Sequence, residues 1–255
     1  MAQLLEGKRA LVVGVANRWS LAWAIASAFR QHGAEVLLTY QGDRQRLTVE
    51  ELAAELGAAA LPCDVTREDD LHQLGEALRQ RFERIDVLVH SVAYAPKEEL
   101  SGKFLETSRH GFLVAHEVSV YSLVALARLV APLMTQGGSI ITLSYLGACR
   151  VVPNYNVMGV AKAALESCVR YLANDLGRAQ IRVNAISAGP IKTASARAIK
   201  GLAQLLDHLR ERAPLGRDTE PSEVADAAVF LASDLSRGVT GNVLFVDAGY
   251  HVMAF

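Results

Sequence analysis

An open, three-layer α/β sandwich is what this sequence predicts, and three observations carry that expectation. Short apolar runs rich in β-formers alternate along the chain with longer stretches of helical period, the order that builds a parallel sheet. The runs are continuously apolar instead of alternating, so both faces of the sheet expect cover. The chemically unusual residues gather just after the runs, where ligands sit in such sheets. The predicted class is therefore α/β: a single-domain, Rossmann-type, doubly wound parallel sheet of about seven strands with helices on both faces. A length of 255 residues, 51% of them hydrophobic, with a net charge of −1, suits one domain over 1–255.

The elements follow in order. Ala10-Leu11-Val12-Val13 is the first strand, and Leu21 to Gln31 the first helix. Glu35 to Thr39 is the second strand and Asp43 to Leu56 the second helix, followed by Ala59-Ala60-Leu61 and the helical stretch Glu68 to Phe82. Val87-Leu88-Val89 precedes a helix over Glu117 to Leu133. Ser139 to Leu143 leads into the helix Asn154 to Leu176, and Arg182 to Ile186 is the sixth strand. Ser222 to Ala232 is helical and Val243-Leu244-Phe245-Val246 closes the sheet. The strand ends to read are then Gly14, Tyr40-Gln41, Asp64-Val65, Ser91-Val92-Ala93, Ser144-Tyr145 and Ser187 to Ile191.

Composition excludes several classes. There is no basic excess or polybasic run to suggest nucleic acid. The opening Met1 to Arg9 lacks a long apolar core, and no later run approaches the uninterrupted apolar length of a membrane span, so a cytoplasmic protein is expected. Cys63, Cys149 and Cys168 form no CxxC pair, and the seven histidines show no HxxxH spacing, so no metal is expected.

The densest chemistry is Ser144-Tyr145 followed by Tyr155 and, seven residues on, Lys162. On a helix, that spacing returns Lys162 to within about 20° of Tyr155, with the lysine stem leaning back toward the phenol. An ammonium there would favour the phenolate and ease release of a proton to a developing oxyanion. On spacing alone, a helix-starting tyrosine and a snorkelling lysine remain an equal alternative.

The first strand end is a candidate cofactor loop, although Gly14 alone remains where a G-x-G-x-x-G loop has three glycines. Ser20 can cap the helix that begins at Leu21, whose first amides would face a pyrophosphate; for this loop alone an ordinary strand-to-helix turn capped by serine is an equal alternative. Gln41 replaces the acidic residue that usually grips the adenosine ribose, and brings no charge for a 2′-phosphate; this favours NADH over NADPH. Arg44 and Arg46 read first as solvated charges on the next helix, although they could accept that phosphate if the loop folds inward. Asp64 can accept from the adenine amino group with Val65 covering the ring, or be a helix N-cap near Thr66 and Arg67. Ser91 and Val92 would pass beneath the nicotinamide ribose.

Read together, Leu143 to Ala148, Pro153 to Gly159 through Lys162, Arg182 to Ile191 and Asp247 to Tyr250 resemble the divergent branch of the short-chain dehydrogenase/reductase superfamily. Within it the likeness is to bacterial NADH-dependent enoyl-acyl-carrier-protein reductases, over essentially the whole chain. Ordinary members of the superfamily carry lysine four residues after tyrosine, and Gly159 cannot serve there. The resemblance departs at Ala93-Tyr94 and at Ala248, where no reactive group is lost.

The resemblance implies one NAD-binding domain over 1–255 that reduces the trans-2 double bond of enoyl thioesters on acyl carrier protein in fatty-acid elongation. Tyr145, Tyr155 and Lys162 are then the catalytic set, with Tyr155 as oxyanion donor and Lys162 on the nicotinamide ribose. Gly14, Ser20, Leu21, Gln41, Asp64, Val65, Ser91, Val92, Lys162, Ile191 and Thr193 would hold NAD. Ala95, Tyr145, Tyr155 and Met158 would meet the substrate. From the residues themselves, Ala95, Met158, Pro190 and Ile199 could line an apolar acyl pocket, or Met158 and Ile199 could be ordinary core residues. The small-residue stretch Thr193 to Gln204 suggests a lid or, equally, a weak surface helix. A homotetramer is expected from the apolar helices Glu117 to Leu133 and Asn154 to Leu176 and the apolar end of the chain. The rivals are a ketone-reducing (3-oxoacyl or other) short-chain dehydrogenase and a non-catalytic dinucleotide sensor.

Overall fold

Seven parallel strands form one sheet in the order β3-β2-β1-β4-β5-β6-β7 in the computed structural model, which describes residues 3–191 and 210–254. The strands are β1 (Arg9–Val13), β2 (Glu35–Tyr40), β3 (Ala59–Pro62), β4 (Val87–His90), β5 (Gly138–Tyr145), β6 (Ile181–Ala188) and β7 (Val243–Val246). The helices are α1 (Leu21–Gln31), α2 (Asp43–Glu55), α3 (Glu68–Arg81), α4 (Arg109–His116), α5 (Ser122–Val130), α6 (Asn156–Leu176) and α7 (Pro221–Ala232). The strand order reverses between β1 and β4, which opens a crevice at their carboxyl ends.

Alternation along each strand divides the core into two layers. In β1, Ala10 and Val12 join Ile25 and Phe29 of α1, Leu52 of α2 and Val229 of α7 on one face. Leu11 and Val13 join Leu74 and Leu78 of α3, Leu126 of α5 and Leu165 of α6 on the other. Full burial of one such leucine contributes about 2 kcal/mol, so the two layers dominate the stability of the sheet.

The helix expected over Glu117 to Leu133 starts earlier. A π-helical turn at Glu117–Tyr121 joins α4 to α5, so one helical run covers Arg109–Leu133. That run is, by length and mean hydropathy, apolar enough to cross a membrane, although Glu117 and Arg128 interrupt its apolar sequence. Half of its apolar window is buried inside the fold, with Leu123, Leu126 and Val130 fully enclosed, and these explain the composition as that of a core helix. Helix α6 starts two residues later than expected, because Asn154 (φ 64°) and Asn156 (φ 38°) take left-handed backbone on either side of Tyr155.

Candidate active site

The crevice begins at Gly14, directly after β1. Its φ is +100°, and a Cβ there would lie 2.2 Å from the Ser91 carbonyl oxygen and 3.2 Å from a Val92 methyl. Only glycine allows β1 and β4 to end in such close contact. Gly14, Ser91 and Val92, predicted separately, are thus one unit. Ser20 caps α1 as expected: its hydroxyl accepts from the Trp23 amide at 3.3 Å and donates to Asn17 O at 2.7 Å. A cavity of about 330 Å³ opens beside this helix start, bordered by Arg18, Trp19, Ser20, Pro190, Ile191 and Thr219 among others. Pro190 and Ile191 border this cavity together, and Pro190 also borders a smaller one with Thr219, Asp247 and Tyr250.

At the next strand ends Gln41 and Asp64 meet, the glutamine amide donating to the Asp64 carboxylate at 3.2 Å. The other Asp64 oxygen accepts from the Thr66 amide and hydroxyl, a turn that precedes α3, whose N-cap is Arg67 and not Asp64 as the capping alternative expected. Burial alone would raise the Asp64 carboxyl, but the Thr66 and Gln41 hydrogen bonds and Arg67 hold it below its ordinary value. Arg46 pairs with Glu50 at 2.9 Å, which leaves it engaged along α2. A hydrogen-bonding amide beside a carboxylate, the close glycine turn and a capped helix start together fit a dinucleotide.

Tyr145 leaves β5 and Tyr155 precedes α6, and their rings meet edge to face with centroids 4.9 Å apart and planes at 72°. Gly147 makes this possible. A Cβ on Gly147 would lie 2.5 Å from the Tyr155 ring and 3.3 Å from the Tyr145 ring, and one on Gly159 would lie 2.9 Å from Gly147 O. Tyr155 also packs on a small apolar cluster of Ala95, Leu100, Ala115, Val157 and Met158, which brings the four predicted substrate residues together. The Ser119 hydroxyl, from the π-helical turn, lies 3.8 Å from the Met158 sulfur and accepts from the Tyr94 amide at 3.0 Å.

Lys162 is 6% exposed, and its ammonium donates to Leu143 O at 2.7 Å. Burial pushes it down to about 8, against which the Glu166 carboxylate raises it. The phenols move the other way. Burial, then the neighbouring Tyr250, pushes Tyr145 up to about 12, and burial followed by Tyr145 raises Tyr155 further. The expectation that Lys162 favours the Tyr155 phenolate is therefore corrected: the ammonium is committed to β5, and the phenol stays protonated among apolar neighbours.

Sequence reasoning missed His90, which ends β4 fully enclosed. Its Nδ1 lies 2.8 Å from the Thr142 hydroxyl and its Nε2 2.8 Å from the Ser122 hydroxyl. Ser122 gives its own proton to Val118 O, so Nε2 carries the hydrogen and Nδ1 accepts from Thr142. Burial, then Lys162, pushes the ring down to about 3, so it is neutral. A histidine closing an apolar strand was the available signal. Thr193, Ile199 and the stretch Thr193 to Gln204 lie outside the described residues.

A seven-stranded parallel sheet reversing at β1/β4, with a glycine turn at the crevice and a tyrosine–lysine pair at its edge, defines the class of the short-chain dehydrogenases/reductases. The family model described as enoyl-(acyl carrier protein) reductase matches residues 14–251, and the chain belongs to that family. It is 50% identical over 253 residues to enoyl-acyl-carrier-protein reductase (NADH) FabI of Bacillus subtilis, covering 98% of each chain. The enzyme of the same name from Aquifex aeolicus is 49% identical over 252 residues, covering 98% of this chain and 93% of its own. Among solved structures, the Bacillus cereus enoyl-acyl carrier protein reductase with NADP+ and indole naphthyridinone superposes with a TM-score of 0.98 at 50% identity, over all of both chains. The Anaplasma phagocytophilum reductase with NAD superposes with a TM-score of 0.97 at 46% identity, over 100% of this chain and 98% of its own.

Proposed function

We propose that the chain reduces the trans-2 double bond of enoyl thioesters carried on acyl carrier protein, with NADH, in fatty-acid elongation. The observation that carries this reading is the Tyr145–Tyr155 ring pair beside a buried lysine, in a family whose relatives are named for that substrate and cofactor. When bound, NADH supplies the hydride that adds to the β-carbon. Negative charge then reaches the thioester oxygen as an enolate, which needs a donor. Tyr155 is protonated at neutral pH and acts as that donor and as the proton source. Tyr145 walls the same space and positions the thioester. Lys162 holds the nicotinamide ribose hydroxyls and adds positive charge. Ala95 and Met158 take the acyl chain beside Tyr155.

Gly14, Ser91 and Val92 form the floor of the cofactor site, and Ser20, Leu21 and Ile191 its side; Thr193 belongs to the same set. Gln41, Asp64 and Val65 bind the adenosine end, where the Asp64 carboxylate disfavours a 2′-phosphate. A spectrophotometric assay is expected to show oxidation of NADH, faster than of NADPH, with crotonyl thioester and not with acetoacetyl thioester. Turnover of the ketone alone would instead establish a ketone reductase, and binding of NADH without turnover of either, a sensor.

The reading extends to one domain over 1–255 and to a cytoplasmic homotetramer. Leu113, Tyr121, Val160 and Tyr171 leave apolar surface exposed on the α4–α6 side, as do Val252 and Met253 near the chain end. Light scattering at micromolar concentration is expected to give four times the 27.5 kDa chain mass, and a monomer would overturn the tetramer.

A further inference from the structure

Lys162 carries its charge into the interior without an ion pair at contact distance among the described residues, so the groups around it decide whether that charge survives. Glu166 stands one helical turn further along α6, on the same face. Its carboxylate accepts a hydrogen bond from the hydroxyl of Ser144, which is 5% exposed and lies between Leu143 and Tyr145 on β5. Leu143 is the residue whose carbonyl receives the Lys162 ammonium, and Tyr145 is the residue whose ring meets Tyr155. One carboxylate therefore reaches the strand segment that holds both.

The other titratable groups around this point do not replace it. From β4, His90 is neutral and both ring nitrogens are engaged. From β5 and the start of α6, Tyr145 and Tyr155 are protonated phenols. Cys149 and Arg150 are exposed on the turn after β5, where Glu166 and Arg150 both act on the Cys149 thiol. Past β7, Asp247 accepts from His251, and Tyr250 acts on Tyr145. Glu99, on the turn that also packs against α6, accepts from Ser108; Arg128 of α5 and Glu117 of the π-helical turn are exposed. Among the described residues, Glu166 is the group whose charge acts on Lys162 in the opposing sense to burial.

We propose that Glu166 is a positioning residue for the reaction: its carboxylate anchors the end of β5 through Ser144 and supplies the counter-charge to the Lys162 ammonium. The inference rests on the reading of Lys162 given under Proposed function. Glu166→Gln keeps an oxygen for the Ser144 hydroxyl and removes the charge, while Ser144→Ala removes the hydrogen bond and keeps the charge.

Two measurements test it. The first is titration of Lys162 in cofactor-free protein by 13C NMR of labelled lysine, with the resonance assigned by its loss in a Lys162 variant. The second is the pH dependence of kcat for crotonyl thioester reduction. In Glu166→Gln, the Lys162 titration and the alkaline limb of the rate profile are expected to fall together by about one pH unit. Ser144→Ala is expected to lower kcat at every pH while leaving the titration in place. An unmoved Lys162 titration in Glu166→Gln overturns the inference, whatever the change in rate or thermal stability. A titration that moves while the rate profile stays fixed upholds the counter-charge and overturns instead the role given to Lys162 in turnover.

Discussion

Tyr155→Phe is expected to lower kcat for an enoyl thioester by about two orders of magnitude, the effect of removing one oxyanion donor worth about 3 kcal/mol. The substitution deletes one oxygen and keeps the ring. The edge-to-face contact with Tyr145 and the packing on Met158 and Val157 therefore persist, and the thermal midpoint should stay close to that of the parent. NADH affinity, measured by fluorescence titration, should change little, because the ribose contact belongs to Lys162. The loss is expected in kcat and kcat/KM alike, the pattern of an interaction made only in the transition state. Because burial and Tyr145 raise the phenol above its ordinary range, its ionisation should add no limb to the rate profile below pH 10. Near-parental turnover in Tyr155→Phe would remove Tyr155 from the mechanism.

The order of strands and helices was legible because it rests on long signals. A helix such as Leu21–Gln31, with a serine cap and a spaced apolar face, is fixed within the window that encodes it. The start of the fourth and fifth helices was not, because Arg109 to His116 carries mixed polarity and continues through a π-helical turn that no local propensity announces. The candidate site divides along the same line. Tyr145, Tyr155 and Lys162 were readable as reactive types at strand and helix ends, whereas their electrostatics were not. The committed Leu143 carbonyl, the neutral His90 and the Ser144–Glu166 contact are set by which elements lie side by side. Gly147 shows the same limit. A glycine after Tyr145-Leu146 reads as a turn, and only the fold reveals that a methyl there would enter the Tyr155 ring.

Lys162→Met should separate what the lysine does for the reaction from what it costs the fold. Methionine preserves most of the stem volume, so the packing of this buried position of α6 is retained. The ammonium is lost, and with it the donor to Leu143 O and the proposed hold on the nicotinamide ribose. NADH affinity should weaken by at least about tenfold and kcat by about a hundredfold, since both a ground-state contact and transition-state charge are removed. Unchanged NADH affinity by titration would contradict the ribose contact.

The fold responds differently. In the native protein Lys162 titrates at about 8, against an ordinary value of 10.5, so between these two the unfolded chain binds the proton more readily than the native one. Stability must therefore rise with pH across that window, and below it the buried ammonium is a standing cost on the order of 3 kcal/mol. In Lys162→Met this particular rise should disappear from urea unfolding curves taken between pH 8 and 10, because the group that generates it is gone. A parental slope in the variant would assign the pH dependence to another group and show that Lys162 is not the strained charge. The expected outcome, a variant with weaker cofactor binding and a flatter stability profile, is what a residue kept for chemistry at the expense of stability should give.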